Sequence, residues 1–258
     1  MRIENEFMRR IAAVAATETL PRFRMAGLAS DNKYAVGFDP VTEADRAAEL
    51  AIRKLIHDAF PDHGIVGEEF GIENGDSRHV WVVDPIDGTR SFISGIPLWG
   101  TLVGLLEDGK AVAGMMFQPF TGEAFLGDAD GARYEGPGGP RALTVRPTTA
   151  LAEATLCTTT PALFPGAKRA AYDRLEREVR LPRYGTDCYA YAMLAAGTVD
   201  LVVESGLHPY DIVALVPIIE QAGGVVTTWD GGPAEQAGDI VAAATPELHR
   251  AALELLNG

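Results

Sequence analysis

The most informative part of this sequence is Trp81-Val82-Val83-Asp84-Pro85-Ile86-Asp87-Gly88-Thr89. An apolar strand leads directly into two aspartates three residues apart, with a proline between them, and glycine and threonine then begin a short helix. Burying two like charges so close together is unfavourable unless a cation lies between them. Because Asp, Pro and Gly are also common turn residues, this segment alone predicts either a cation site or a turn.

Two other acidic segments stand in comparable positions. Gly67-Glu68-Glu69 follows a short apolar strand, and Asp211 follows Pro209-Tyr210 at the start of an otherwise apolar helix. Taken singly, the first is typical of a solvated corner, and the second of an acid that interacts with a helix dipole. Together with Asp84 and Asp87 they offer hard oxygen ligands, which suit Mg²⁺ or Mn²⁺ rather than Zn²⁺.

The coarse pattern of the chain predicts two halves, 1–143 and 144–258. In the first, helices at about 4–26 and 42–60 precede closely spaced strands, which indicates an antiparallel sheet covered by two helices, an α+β arrangement. The glycine- and proline-rich run 136–140 predicts a hairpin or a linker. The second half alternates strands and helices as an α/β unit. The predicted strands are 64–67, 80–83, 98–106, 112–118, 123–126, a turn-rich segment at 131–140, 155–159, 199–204, 225–228 and 240–243. The predicted later helices are 169–179, 189–196, 210–222 and 246–256, and Pro217 should kink the last turns of the third.

Composition restricts the partners of the protein. The 258 residues include 36 acidic and 22 basic ones, a formal net charge of −14 at pH 7. Such a surface repels phosphate backbones and anionic membranes, so we expect no nucleic acid and no membrane partner. The absence of a long apolar run and the charged N-terminus predict a cytoplasmic protein. Cys157 and Cys188 are too few for a disulfide framework, and we expect both to be buried.

Taken in chain order, these segments resemble the inositol monophosphatase superfamily. The shared signatures are Gly67-Glu68-Glu69, the run from Asp84 to Thr89 followed by the aromatic Phe92, and Asp211 ahead of a helix that ends in Ala222-Gly223-Gly224. The resemblance covers nearly the whole chain. It implies an α/β fold arranged as a layered α/β/α/β/α sandwich, an active site between the halves, a homodimer, and Mg²⁺-dependent hydrolysis of a small phosphate monoester.

The resemblance also assigns the metal ligands. It implies two or three Mg²⁺ ions per site, for which Mn²⁺ can substitute. The implied ligands of the first ion are Glu68, Asp84 and the Ile86 carbonyl. Those of the second are Asp84, Asp87 and Asp211, with Asp84 bridging the two ions.

Further residues would bind the phosphate and orient the water. The Gly88 and Thr89 amides would bind the phosphate at a helix start. Thr89, with Asp45 or Glu68, would orient water for in-line attack without a covalent phosphoenzyme. Asp45 matches the family acid that hydrogen-bonds the threonine hydroxyl, but it also stands three residues after Thr42, close to a capping box. We favour the catalytic role, because one side chain cannot easily serve both.

Within the superfamily, the segments 89–100, 184–191 and 204–211 resemble the histidinol-phosphate phosphatases more than the inositol enzymes. We therefore expect L-histidinol phosphate as the substrate, within histidine biosynthesis, and inositol 1-phosphate as the alternative. The ammonium and imidazole of histidinol phosphate call for anions and hydrogen-bond acceptors.

Three residues are candidates for that recognition. Asp187 could bind the cationic end of the substrate, or it could cap the helix 189–196. Glu204 matches a family position that binds substrate hydroxyls in inositol enzymes, so it discriminates poorly between substrates. Arg90 stands beside the phosphate-binding amides, but a solvent-facing role fits it equally.

Other functions are less consistent with the sequence. Bisphosphate nucleotidases and fructose bisphosphatases must bind a second phosphate, and no basic cluster can be placed near the site. The run 128–131, Asp-Ala-Asp-Gly, resembles the nucleophile motif of haloacid dehalogenase-type phosphatases, but in a glycine-rich hairpin region a turn explains it better. A regulatory, protein-binding member of the fold is disfavoured by the intact carboxylates together with Thr89 and Asp45.

Overall fold

The computed structural model describes residues 5–26, 30–32 and 40–258, and helices and sheets alternate there in five layers. The helices are α1 (Asn5–Thr19), α2 (Glu43–Ala59), α3 (Thr89–Ile93), α4 (Ala167–Glu178), α5 (Cys188–Ala195), α6 (Pro209–Ile212), α7 (Leu215–Gln221) and α8 (Pro246–Asn257). The strands are β1 (Ser30–Asn32), β2 (Pro40–Thr42), β3 (Gly64–Gly67), β4 (Gly71–Glu73), β5 (His79–Asp87), β6 (Gly100–Glu107), β7 (Lys110–Gln118), β8 (Glu123–Asp128), β9 (Gly131–Glu135), β10 (Arg141–Ala142), β11 (Thr155–Thr158), β12 (Leu181–Tyr184), β13 (Leu201–Leu207), β14 (Val225–Thr228) and β15 (Gly238–Ala243).

Three hydrophobic cores separate the layers. Helices α1 and α2 pack on one face of an eight-stranded sheet, with Ile52 and Trp81 in the core between them. Helices α5 to α7 lie between this sheet and a five-stranded one, while α4 and α8 cover the outer face of the second. Alternate residues of a strand serve different cores: Val202 faces the middle layer, and Leu201 and Val203 face the outer one. The predicted α/β/α/β/α sandwich is confirmed.

The first sheet departs from the predicted antiparallel arrangement at one pair. Its order is β10-β9-β8-β7-β6-β5-β3-β4, and β3 pairs with β5 in parallel. The antiparallel edge strand β4 lies between them in sequence, so the chain reverses twice before β5 begins. The sequence pattern missed β4, because all three of its residues are exposed and show no alternation. It also missed the mostly exposed edge strand β12, which pairs in parallel with β11.

Prolines account for two helix boundaries that were predicted wrongly. Helix α1 ends at Thr19 rather than near residue 26, since Pro21 disfavours helical geometry just before it. The helix predicted over 210–222 is divided into α6 and α7 at Val213 and Ala214, before Pro217 rather than in the last turns. Pro217 has no N–H to bond the carbonyl of Val213, although the dihedral angles there stay helical.

Other predicted features are confirmed. Residues 136–140 connect the antiparallel pair β9–β10 as a hairpin. The motif at 128–131 is the turn between β8 and β9, where Asp128 accepts the backbone N–H of Asp130. Cys157 and Cys188 are buried and free. No helix within the described residues is long and apolar enough to span a membrane. The last strand of the first sheet ends at Ala142, and the second sheet begins at Thr155. The predicted division of the chain at 143/144 stays a prediction.

A row of glycines brings the middle layer unusually close to the first sheet. Gly104, Gly114 and Gly127 are paired in register on β6, β7 and β8. A Cβ atom at Gly114 would overlap the Ala214 carbonyl, and one at Gly127 would overlap the backbone at Pro217. These glycines are required by this close approach, which fixes the height of α6 and α7 above the sheet.

Replacing Gly114 by alanine should lower the free energy of unfolding by about 3 kcal/mol, because the added methyl must displace the helix backbone. Ala113→Gly is the matched control: its side chain lies in the other core, and the lost methyl should cost about 1 kcal/mol. Urea unfolding of both variants measures the difference. Equal losses would contradict the role of the glycine row.

Candidate active site

A bulge in β5 places two aspartates on the same side of the sheet. Residues three apart on a regular strand point to opposite faces. Here Asp84 pairs with Leu102 and Asp87 with Gly100, so one extra residue is inserted in β5 and the alternation is reset. The Thr101 hydroxyl donates to the Pro85 carbonyl at 2.8 Å and holds the bulge. Oxygens of Asp84 and Asp87 therefore approach each other.

Asp211 completes a cluster of three carboxylates. Each of Asp84, Asp87 and Asp211 contributes one carboxylate oxygen, and these three atoms lie within 4.8 Å of one another. Glu68 follows β3, its N–H donates to the Val83 carbonyl, and its side chain lines the same pocket. The pocket, about 140 Å³, is also lined by Ile86. The structure thus brings together all five predicted metal ligands, whose binding roles stay predictions.

Backbone N–H groups orient the three clustered carboxylates. Asp84 accepts the N–H of Ile86 at 2.9 Å, and Asp87 accepts the N–H of Cys188 at 2.7 Å. Asp211 accepts the N–H of His208 at 2.7 Å. Among the described residues, no lysine or arginine forms an ion pair with Asp84 or Asp87. Asp84 and Asp87 are therefore held by backbone N–H groups rather than by a cationic side chain of the described residues.

Burial makes this negative charge costly. It raises the pKa of Asp84 and Asp87 well above the usual carboxylate range, and the neighbouring carboxylates add to the effect. Such groups fit a divalent cation, which would replace the lost hydration and cancel the repulsion. Carboxylate and carbonyl oxygens alone form the donor set, so Mg²⁺ or Mn²⁺ suits it.

Asp45 and Thr89 do not form the predicted hydrogen bond. One oxygen of Asp45, Oδ2, accepts the N–H and hydroxyl of Thr42 in a capping box. The Thr89 hydroxyl donates instead to the Ile86 carbonyl at 3.1 Å. The capping role, which we ranked second, is thus present, yet it occupies only one oxygen. The other, Oδ1, is buried without a hydrogen-bond partner, and burial raises the pKa of Asp45 to about 6.

Asp187 lies in the pocket although it occupies the N-cap position of α5. Its side chain makes no capping hydrogen bond and instead accepts the Ser91 hydroxyl at 2.9 Å. The α5 N-terminus is capped by Asp87 through Cys188, so Asp187 is released to face the pocket. Burial raises the pKa of Asp187, whereas hydrogen bonding to Ser91 and Thr159 opposes that rise.

Glu204 lies behind the pocket rather than in its wall. It is 2% exposed and accepts the N–H and hydroxyl of Thr159 at 2.6 and 3.0 Å. Burial raises the pKa of Glu204 to about 8, against the effect of these hydrogen bonds. Thr159, which the sequence analysis missed, lines the pocket in its place. The feature of the sequence that could have indicated Thr159 is the run of threonines at the end of the predicted strand 155–159.

The segment that the sequence predicts to bind phosphate lies at the pocket. Gly88 has a φ of 85° and turns the chain into α3, and Gly88, Thr89 and Arg90 all line the pocket. A side chain at Gly88 would be strained by this left-handed geometry. Arg90 is exposed, and its charge favours the ionised form of Asp187.

Known proteins are similar to this chain in sequence and in fold. The inositol monophosphatase family matches residues 5–258. The bifunctional phosphatase IMPL2, chloroplastic, of Arabidopsis thaliana is 44% identical over 229 residues, 84% of this chain and 65% of that protein's length. A histidinol-phosphatase of Mycobacterium tuberculosis is 31% identical over 263 residues, 98% of each. A solved inositol monophosphatase from Zymomonas mobilis has a TM-score of 0.87 at 39% identity, covering 98% of this chain and 97% of that one.

Mg²⁺ should raise the melting temperature more at pH 8 than at pH 5. Because the pKa values of Asp84 and Asp87 are raised by folding, the metal-free protein loses stability as pH rises from about 4, the unfolded carboxylate value, through the raised folded values. Bound Mg²⁺ should remove this loss of stability at pH 8. At pH 5 protons compete with Mg²⁺ for the carboxylates, so Mg²⁺ should stabilise the protein less. Thermal unfolding in Mg²⁺ and in Na⁺ of equal ionic strength measures the effect. An equal shift in Na⁺ would contradict a specific site.

Proposed function

Because this chain belongs to the inositol monophosphatase family of phosphatases, we propose that it hydrolyses L-histidinol phosphate to L-histidinol and phosphate. The observation that supports this substrate is the position of Asp187, whose carboxylate faces the pocket instead of capping α5. An anion beside the phosphate-binding segment attracts a substrate that carries a cation next to its phosphate. Inositol 1-phosphate has no such cation.

The proposed reaction joins the oxygen of water to phosphorus while the ester bond to the alcohol breaks and the alcohol oxygen is protonated. In this proposal Asp84, Asp87 and Asp211 hold Mg²⁺ together with Glu68 and the Ile86 carbonyl. When bound, the cation lowers the pKa of water and neutralises phosphate charge. The Gly88 and Thr89 amides bind the phosphate.

Thr89 and Asp45 would orient the attacking water. The Thr89 hydroxyl reaches it by rotating away from the Ile86 carbonyl, its partner in this structure. The Oδ1 atom of Asp45 is the buried acceptor without a partner, and Glu68 lies near enough to raise the pKa of Asp45 further. In this proposal Asp45 would accept a hydrogen bond through Oδ1 and so assist Thr89 in orienting the water.

The alternative substrate is inositol 1-phosphate. Relatives that match this chain carry both names: histidinol-phosphatase at 31% identity and inositol-1-monophosphatase ImpA of Mycolicibacterium smegmatis at 37%. Names alone therefore leave the substrate open, and the pocket-facing Asp187 favours histidinol phosphate. Mg²⁺ as the physiological ion, a homodimer, a cytoplasmic location and a place in histidine biosynthesis are further parts of this proposal.

Asp87→Asn should reduce kcat by on the order of 10³-fold or more, because it removes a carboxylate from the metal cluster. The amide oxygen can still accept the N–H of Cys188, so the cap of α5 and the fold should persist. Phosphate release at saturating Mg²⁺ measures the loss, with circular dichroism as the folding control. A variant that kept most of its activity would remove Asp87 from the mechanism.

A comparison of substrates tests the proposal directly. We expect kcat/KM for L-histidinol phosphate to exceed that for inositol 1-phosphate, fructose 1,6-bisphosphate and adenosine 3′,5′-bisphosphate by 100-fold or more, about 2.7 kcal/mol of transition-state discrimination. Comparable or higher rates on inositol 1-phosphate would overturn the histidinol phosphate assignment and leave the phosphatase chemistry intact.

Asp187→Asn should lower kcat/KM for histidinol phosphate by about 10- to 100-fold, the value of a charged hydrogen bond. The loss on inositol 1-phosphate should be much smaller. Asp58→Asn is the matched control, since that side chain is 63% exposed on α2. Equal losses on both substrates would show that Asp187 supports the site without selecting the substrate.

A further inference from the structure

A buried carboxylate on α2 holds the corner that carries Glu68. Glu49 is fully buried, and its Oε2 accepts the N–H of Glu69 at 2.7 Å. Its Oε1 accepts the N–H of Phe70 at 3.2 Å. These are the two backbone donors that directly follow Glu68, so Glu49 restrains the chain where the Glu68 side chain leaves it.

Arg53, one turn later on α2, completes the contact. Its Nε donates to Glu49 Oε1 at 2.8 Å, and its Nη2 donates to the Gly71 carbonyl at 2.5 Å. Arg53 is 7% exposed, so the ion pair is shielded from solvent. The pair thus binds both the N–H groups at 69 and 70 and the carbonyl at 71.

Gly67 shows how close this contact is. A Cβ atom there would overlap the carboxylate of Glu49 and come within 2.8 Å of the Arg53 guanidinium. The backbone of Gly67 does not lie in the left-handed region, so glycine is needed here for space alone. The carboxylate is therefore packed against the corner on the N-terminal side of Glu68 as well.

Stability alone gives a weak reason for this ion pair. Burying two charges costs desolvation free energy, and apolar side chains of similar size often stabilise such a position equally well. The pair does, however, satisfy three backbone groups of a short segment that must present a carboxylate to the cluster. Glu49 itself does not line the pocket, so any effect on chemistry must pass through the position of Glu68.

We propose that Glu49, held by Arg53, is a positioning residue that sets the Glu68 carboxylate for divalent-cation binding. The inference rests on the proposed function only in taking Glu68 as a metal ligand. Residues that orient metal ligands commonly change metal affinity by about 10- to 100-fold when they are replaced. Glu49 therefore governs how tightly Mg²⁺ binds more than how fast the loaded enzyme turns over.

Glu49→Gln tests this role. The amide keeps one acceptor oxygen and removes the buried counter-charge of Arg53, which keeps only the more distant, half-exposed Glu73 at 3.4 Å. We expect the dissociation constant of Mg²⁺, measured by calorimetry on the metal-free protein, to rise about 10-fold or more. The Mg²⁺ concentration for half-maximal phosphate release should rise in parallel, while kcat at saturating Mg²⁺ changes little. Gly67→Ala, which displaces the same carboxylate, should act in the same direction.

Two controls separate positioning from general loss of stability. Glu43→Gln makes the same change on α2 at a side chain that is 82% exposed, and it should leave Mg²⁺ affinity unchanged. Ile52→Val removes a buried methylene from the same helix away from the corner. It should lower the melting temperature without weakening Mg²⁺ binding.

Unchanged Mg²⁺ affinity in Glu49→Gln, or an equal loss in Ile52→Val, would overturn the proposal. If Glu49→Gln does not fold, Glu49→Asp decides, because it keeps the charge but withdraws the carboxylate from the two N–H groups. Weakened Mg²⁺ binding in that variant supports positioning, and unchanged binding refutes it. Glu68→Gln tests the premise that Glu68 is a metal ligand. If this variant binds Mg²⁺ as tightly as the unchanged protein, Glu68 is not a ligand and the proposed metal site itself is wrong.

Discussion

Repulsion among buried carboxylates is the constraint on which the rest of this structure depends. Asp84 and Asp87 lie three residues apart, Asp211 follows more than 100 residues later in the sequence, and one oxygen of each lies within 4.8 Å of the others. In the part of the chain that the structure describes, no lysine or arginine forms an ion pair with Asp84 or Asp87. A backbone N–H donates to each of the three carboxylates and helps to fix it at the pocket. Burying this charge costs folding free energy, a cost that a bound cation would offset.

The residues that meet at the pocket could be predicted from the sequence because they stand in recognisable local patterns, although their role as metal ligands stays a prediction. A strand that ends in Asp-Pro-Ile-Asp-Gly-Thr needs no knowledge of distant contacts to suggest a cation site, and the order of the three acidic segments gave the resemblance its specificity. The layered fold followed from the same resemblance and is confirmed. Strands β4 and β12 were missed since exposed edge strands lack the alternation that marks a buried face.

What the sequence could not show are contacts between segments far apart. The glycines at 104, 114 and 127 look unremarkable in separate strands, and only the register of β6, β7 and β8 reveals that they form one row beneath the backbone from Val213 to Ile218. Asp45 illustrates a different limit. Its two possible roles were treated as exclusive, yet a carboxylate has two oxygens, and the capping box uses only Oδ2.

The cap of α5 links the carboxylate cluster to Asp187, the residue that we propose selects the substrate. Asp87 accepts the Cys188 N–H, which takes over the capping function that Asp187 would otherwise serve. Asp187 is then held at a φ of 43°, a conformation that costs a non-glycine residue about 1 kcal/mol or more. The position of Asp187 is fixed at two points, because its own side chain accepts the Ser91 hydroxyl and the next residue, Cys188, donates its N–H to Asp87. Asp87, a predicted metal ligand, therefore also helps to position the carboxylate that we propose recognises the cationic end of the substrate. Under this proposal, a change of substrate preference would involve Asp87 as well as residue 187, since Asp87 positions the backbone there.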